Sequence, residues 1–110
     1  MPPITFGQTI NGTLSTSTTG RSVGCSGCFA DAYQLTVAAQ RSIVITLNST
    51  AFDAYLQVLD ANNNVLGADD DSGGGPNSKI TATIAAGVYR IEVTTANLGE
   101  TGSYTLAIAP

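Results

Sequence analysis

Gly87-Val88-Tyr89-Arg90-Ile91-Glu92-Val93 alternates apolar and polar side chains with a period of two. Only an extended strand sends successive side chains to opposite faces, so Tyr89, Ile91 and Val93 share one face and Arg90 and Glu92 the other. Gly102-Ser103-Tyr104-Thr105-Leu106-Ala107-Ile108 echoes the pattern, glycine and tyrosine included. The same alternation places Tyr33, Leu35 and Val37 together, then Ile43, Ile45 and Leu47, then Ile80, Ala82 and Ile84. A further strand fits Ala54 to Leu59, and shorter ones fit Val65 to Ala68 and Ile4 to Leu14, the last interrupted by Gly7 and Gly12. Turn-forming residues separate the runs: Asn11-Gly12, Ser15 to Gly27, Ala38 to Arg41, Asn48 to Thr50, Ala61 to Asn64, Asp69 to Asn77, Ala86-Gly87 and Asn97 to Gly102. About eight short strands with such turns predict an all-β antiparallel sandwich, jelly-roll-like or immunoglobulin-like. No helical period competes with them, and no linker divides the chain, so residues 1–110 read as one domain.

Composition narrows the function. Charged residues are only 11% of the chain and the net charge is −4, with Arg21, Arg41, Lys79 and Arg90 the only cations. No basic patch is available to neutralise phosphates, which argues against nucleic acid. No apolar run approaches the roughly 18 residues of a membrane span, so no membrane insertion is expected. Thr, Ser, Asn and Gln carry the polar surface, a composition suited to strands and turns outside the cell. Met1-Pro2-Pro3 has no basic or apolar leader behind it, so a secreted or cell-surface location implies a signal outside this sequence.

Two motifs stand out chemically. The first is Ala68-Asp69-Asp70-Asp71-Ser72-Gly73-Gly74-Gly75-Pro76-Asn77-Ser78, which gathers three of the eight acidic residues. Adjacent carboxylates repel and need water, backbone donors or a cation, and an oxygen-rich flexible loop is what calcium takes. A solvated turn between strands is the plainer reading of the same residues. The second is Cys25-Ser26-Gly27-Cys28. With no His and no other Cys it lacks the further ligands of a zinc site, and with no helix following it lacks a thioredoxin setting. A local disulfide pinning a turn, or two loop thiols, remain.

Catalytic readings are poorly supported. Asp71-Ser72-Gly73 matches the core of aspartic peptidases, but Asp69 and Asp70 stand where an apolar strand should end. Asp60-Ala61-Asn62-Asn63-Asn64 with Asp71 echoes an EF-hand loop, but Val65 replaces the required Gly and no helices flank it. A His base is excluded because the chain has none. The four tyrosines, Tyr33, Tyr55, Tyr89 and Tyr104, each open a strand. Packing with the hydroxyl tied near a strand end is one account, and a stacking platform for a sugar or peptide is the other.

Asp31-Ala32-Tyr33-Gln34-Leu35-Thr36-Val37, Ile43 to Leu47, Phe52 to Asp60, Asn64 to Gly74, Ala86 to Tyr89 and Gly102 to Leu106, in that order and spacing, resemble the bacterial pre-peptidase C-terminal domain. The resemblance implies a jelly-roll sandwich and a non-catalytic module appended to secreted peptidases, other hydrolases and surface proteins. Related modules of clostridial collagenases bind collagen and are stabilised by calcium. Carried over by position, Asp69, Asp70 and Asp71 lie in the family's acidic loop, and Asp31 stands before its strand tyrosine. In those relatives several calcium ligands come from an acidic N-terminal linker, whereas residues 1–30 here contain no Asp or Glu. The Cys25–Cys28 segment is likewise not part of the family pattern.

The resulting expectation is no enzyme, but an accessory domain of a secreted or surface protein. It would hold a parent chain to an extracellular protein or polysaccharide polymer, with calcium at Asp69, Asp70, Asp71 and Asp31. A ligand-free spacer or assembly unit, and a carbohydrate-binding module, are the rivals.

Overall fold

The computed structural model describes residues 2–15, 28–69, 77–97 and 99–110. Nine strands run through them: β1 Pro3–Ile4, β2 Thr9–Leu14, β3 Asp31–Val37, β4 Arg41–Asn48, β5 Ala54–Leu59, β6 Val65–Asp69, β7 Ser78–Ile84, β8 Gly87–Thr95 and β9 Gly102–Ile108. They form two sheets, one ordered β1-β3-β8-β5-β6 and one ordered β2-β9-β4-β7. The pairings β2 with β9, β3 with β8, β4 with β7 and β5 with β6 are all antiparallel. Over β2 to β9 the outermost strands pair and each next pair lies inside the one before, so this part of the chain is a folded double ribbon wrapped into two layers. That is the jelly-roll arrangement, and it bears out the expected all-β sandwich.

The alternation seen in the sequence builds the core. Leu35, Leu56, Val58, Ile91 and Val93 face inward from the first sheet and meet Ile45, Leu47, Leu106 and Ile108 from the second, all buried. Truncating one such Leu to Ala costs about 2–5 kcal/mol, because the cavity left behind adds to the lost transfer energy. On the outer side of the second sheet, Thr9, Asn11 and Thr13, Thr46 and Asn48, and Thr81 and Thr83 alternate with these apolar residues. The hairpin loop after β5 is closed by Asp60, whose carboxylate accepts from the backbone of Asn62 (2.8 Å) and Asn64 (3.0 Å) while Asn63 takes a left-handed φ of 62°. The EF-hand echo at Asp60 is therefore an Asx-type hairpin turn. These bonds hold the exposed Asp60 carboxyl below its ordinary range, the Asn64 side chain contributing most.

The N-terminal segment over Ile4 to Leu14 is interrupted at Gly7, as expected, and its two parts go to different sheets. Gly7, at φ 86°, breaks it. Pro3–Ile4 joins the first sheet in parallel beside β3, and Thr9–Leu14 joins the second beside β9. Pro3 is tolerated because this two-residue strand is an edge. Across the corner, the Arg41 guanidinium stacks 3.6 Å over the Phe6 ring.

Gly12, read as a second interruption, interrupts nothing. It sits in register opposite Tyr104 inside β2. A Cβ placed there would lie 2.4 Å from both Cζ and the hydroxyl oxygen of Tyr104, so only glycine lets that ring lie against the strand. Gly12→Ala is expected to destabilise the domain by about 1–3 kcal/mol through overpacking. At 4–8 °C per kcal/mol for a domain of about this size, thermal melting should drop by roughly 5 °C or more. An unchanged melting curve would contradict the close approach.

Candidate functional site

Asp31 opens β3, with Tyr33 two residues on and so on the same side of the strand. Tyr104 reaches them from β9 in the other sheet. Its hydroxyl donates to Asp31 Oδ2 at 2.6 Å, and the Tyr33 and Tyr104 hydroxyl oxygens lie 2.5 Å apart. A carboxylate only accepts, so the Tyr104 proton points to Asp31 and Tyr33 must donate to Tyr104. A hydrogen-bonded chain thus crosses from sheet to sheet. Burial first, then the bonds to Asp31 and Tyr33, push the Tyr104 hydroxyl far above the ordinary phenol range. Burial raises Tyr33 as well, opposed by its bond to Tyr104.

Asp69 ends β6 on the far margin of the same sheet, and its Oδ2 accepts from the Lys79 backbone N–H of β7 at 2.8 Å. Asp31 pairs with Val93, Val93 with Leu56, and Leu56 with Asp69. The two acids therefore occupy one row across four strands, three inter-strand spacings or about 14 Å apart. Asp31 and Asp69 are not brought together, and each ties one flank of this sheet to the other. Asp70, Asp71 and Cys25 lie outside the described residues. Among the described residues no three His, Cys, Asp or Glu side chains gather as a metal would need. Cys28 is buried, with Sγ 3.5 Å from the Asn97 carbonyl oxygen.

The tyrosines resolve mostly in favour of packing. Tyr33, Tyr89 and Tyr104 are buried, and the Tyr89 hydroxyl donates to the Ala85 carbonyl at 2.7 Å. Tyr55 is half-buried, on the opposite side of its strand from Leu56. Sequence reasoning missed Glu92. It lies on the outer side of the first sheet, where alternation expects solvent, yet it is only 1% exposed. Gln57, directly across from it, donates Nε2–H to Oε1 at 2.6 Å, and Arg90 Nη1 lies 3.6 Å from Oε2. Thr94, also on that side, donates to the Phe29 carbonyl at 2.8 Å, so the segment leading into β3 lies against it. A Gln–Glu pair at facing positions was the one available signal, visible only once the register is known.

The second sheet carries a different surface. At the end of β2, β9 and β4 an open cleft of about 520 Å³ is lined by Asn11, Thr13, Asn48, Thr50, Asn77 and Ser103, with Gly12 and Tyr104 among its walls. Ser49 supports it: its hydroxyl donates to the Ser103 carbonyl (2.8 Å) and accepts from Ala51 N–H (3.0 Å), while its own N–H donates to Asn77 Oδ1 (3.1 Å). No helix among the described residues is long and apolar enough to cross a membrane.

The chain is a jelly-roll sandwich in which Asp31 and Asp69 fasten one sheet to the other and the outer face of the second sheet is hydroxyl-rich. The family model of the bacterial pre-peptidase C-terminal domain matches residues 29–95. The chain belongs to that family. Its fold is similar to the crystal structure of the pre-peptidase C-terminal domain of collagenase from Bacillus anthracis, with a TM-score of 0.72 and 20% identity over 97% of this chain and 92% of that one. No curated protein matches in sequence. Membership is compatible with a non-catalytic accessory role.

The raised Tyr104 hydroxyl has a consequence at alkaline pH. Above about pH 10 the unfolded tyrosine ionises while the folded one stays protonated, so the unfolded state binds fewer protons and stability falls as pH rises. The melting temperature should decline more steeply from pH 9 to 11 in the parent domain than in Tyr104→Phe, which itself should cost about 1–3 kcal/mol at neutral pH by orphaning Asp31 and Tyr33. Parallel declines would contradict the assignment.

Proposed function

We propose that this domain is a non-catalytic module of an extracellular protein that holds its parent chain on an extracellular polymer. One observation carries the reading. The outer face of the second sheet presents threonine, serine and asparagine side chains from all four strands, largely exposed and nearly without charge. Such a face offers many weak donors and acceptors over a broad area, which suits a repetitive polymer better than a small charged substrate. The structure this chain resembles is a domain of a collagenase, which favours the same setting. The whole domain should be retained on at least one of insoluble chitin, cellulose or collagen in a sedimentation assay. Protein left in the supernatant with all of them would favour the rival, a ligand-free spacer, which the inward packing of Tyr33, Tyr89 and Tyr104 supports.

Calcium belongs to this proposal at the Asp69–Asp71 loop, without Asp31, which stands too far across the sheet to share an ion with Asp69. A ligand that binds only the folded state stabilises it by about 1.4 kcal/mol at ten times its Kd. For a domain of this size that is about 6 °C. Millimolar calcium should raise the melting temperature by that order and a chelator should reverse it; identical curves would remove calcium from the account. We also assign Cys25 and Cys28 to a local disulfide, in keeping with an oxidising compartment. Thiol titration of the denatured protein should find no free thiol before reduction and two after it.

A further inference from the structure

We propose that the cleft between β2, β9 and the end of β4 is a subsite for one or two sugar residues of a neutral polysaccharide. The inference rests on the polymer-anchoring reading and names the polymer's chemistry. At about 520 Å³ the cleft falls within the size range of small-molecule sites. Its lining alternates hydroxyls and carboxamides: Thr13, Thr50 and Ser103 with Asn11, Asn48 and Asn77. These groups donate and accept at once, as sugar hydroxyls do.

The orientation of Asn77 is fixed from behind. The Ser49 backbone N–H can only donate, so the atom of Asn77 that meets it is Oδ1, and its amide Nδ2 donors turn away. The Asn11 carboxamide pairs with the Thr105 hydroxyl at 3.0 Å, which holds it in place on the sheet. Ser49 is held by Ser103, Ala51 and Phe52, so the support under Asn77 is itself immobilised. Side chains already ordered by the fold lose little entropy when a ligand arrives.

Charge selects among ligands. Among the described residues lining the cleft none carries a charged side chain, and the Tyr104 hydroxyl is committed to Asp31 and Tyr33. A charged ligand would give up water without gaining a counter-charge. The net charge of −4 further opposes polyanions. An apolar ligand would cover hydroxyls and amides without satisfying them. A neutral sugar meets both conditions. With no flat aromatic face offered, affinity at one cleft should be weak, near a Kd of about 1 mM. Multiple copies or a second site on the parent chain would raise it by avidity.

The test is a heteronuclear NMR titration of the whole domain with cellohexaose and chitohexaose, and with polygalacturonate and a triple-helical collagen peptide as comparators. At least one neutral oligosaccharide should shift the amides of Thr13, Thr50, Asn77 and Ser103 and saturate in the millimolar range. Asn77→Asp keeps an acceptor for Ser49 but replaces the outward donors, and should weaken binding about tenfold. Thr13→Val with Thr50→Val removes two hydroxyls at nearly constant shape, and should do the same with the melting temperature held. No cleft-centred shifts with either neutral oligosaccharide, or full binding by both variants, overturns the cleft assignment. Retention on collagen without oligosaccharide shifts overturns it while leaving polymer anchoring intact. Retention on no polymer and no shifts removes both.

Discussion

The Tyr104 hydroxyl chain is the constraint on which the sandwich depends. Apolar packing between two sheets is non-directional, and a sheet sliding by a fraction of a residue loses little. A buried hydroxyl has no such freedom, because an unmade hydrogen bond there costs the full desolvation of the group. Tyr104 donates to Asp31 and accepts from Tyr33, so one side chain from β9 fixes the position of two from β3. Gly12 completes the condition, since the ring approaches the neighbouring strand closer than any Cβ allows. Three strands from both ends of the chain are registered by one phenol.

The ribbon topology explains why such a fastener sits there. β2 and β9 form the outermost pair of the double ribbon, and β3 and β8 the next, so the residues that must meet lie more than seventy positions apart. Contacts that distant are entropically costly to close, and hydrophobic burial alone rewards many near-native alignments. On the opposite flank Asp69 accepts from the Lys79 backbone and closes β6 onto β7. Two described acids in a charge-poor chain thus serve the margins of one sheet, a structural use that does not depend on metal.

The strands were legible because side-chain alternation is a local property: β3, β4, β7, β8 and β9 follow directly from their apolar period. The family blocks were legible as order and spacing. Cross-strand neighbours were not, and every misreading traces to that. Gly12 looks like a turn until Tyr104 is placed opposite it. Glu92 looks solvated until Gln57 is placed opposite it and Phe29 is brought against Thr94. Asp31 looks like a partner of Asp69 until two strands are interposed. The polar cleft was equally hidden, since its lining comes from four separated stretches rich in Thr, Ser and Asn that are individually ordinary.

That ordinariness bears on how the surface works. Charge steers encounters and falls away with salt, whereas hydroxyl and amide contacts do neither. With Asp60 in a hairpin, Asp31 and Asp69 as fasteners and buried Glu92 paired with Gln57 and Arg90, the outer face is poor in charge and its affinity comes from geometry. Each contact there adds about 1 kcal/mol at most, because water competes for it. Such a face binds appreciably only where the partner repeats the same group many times along a fixed spacing. Rigidity then matters more than contact strength, and the registering hydrogen bonds of Tyr104 and Ser49 lie directly behind the strands that present it.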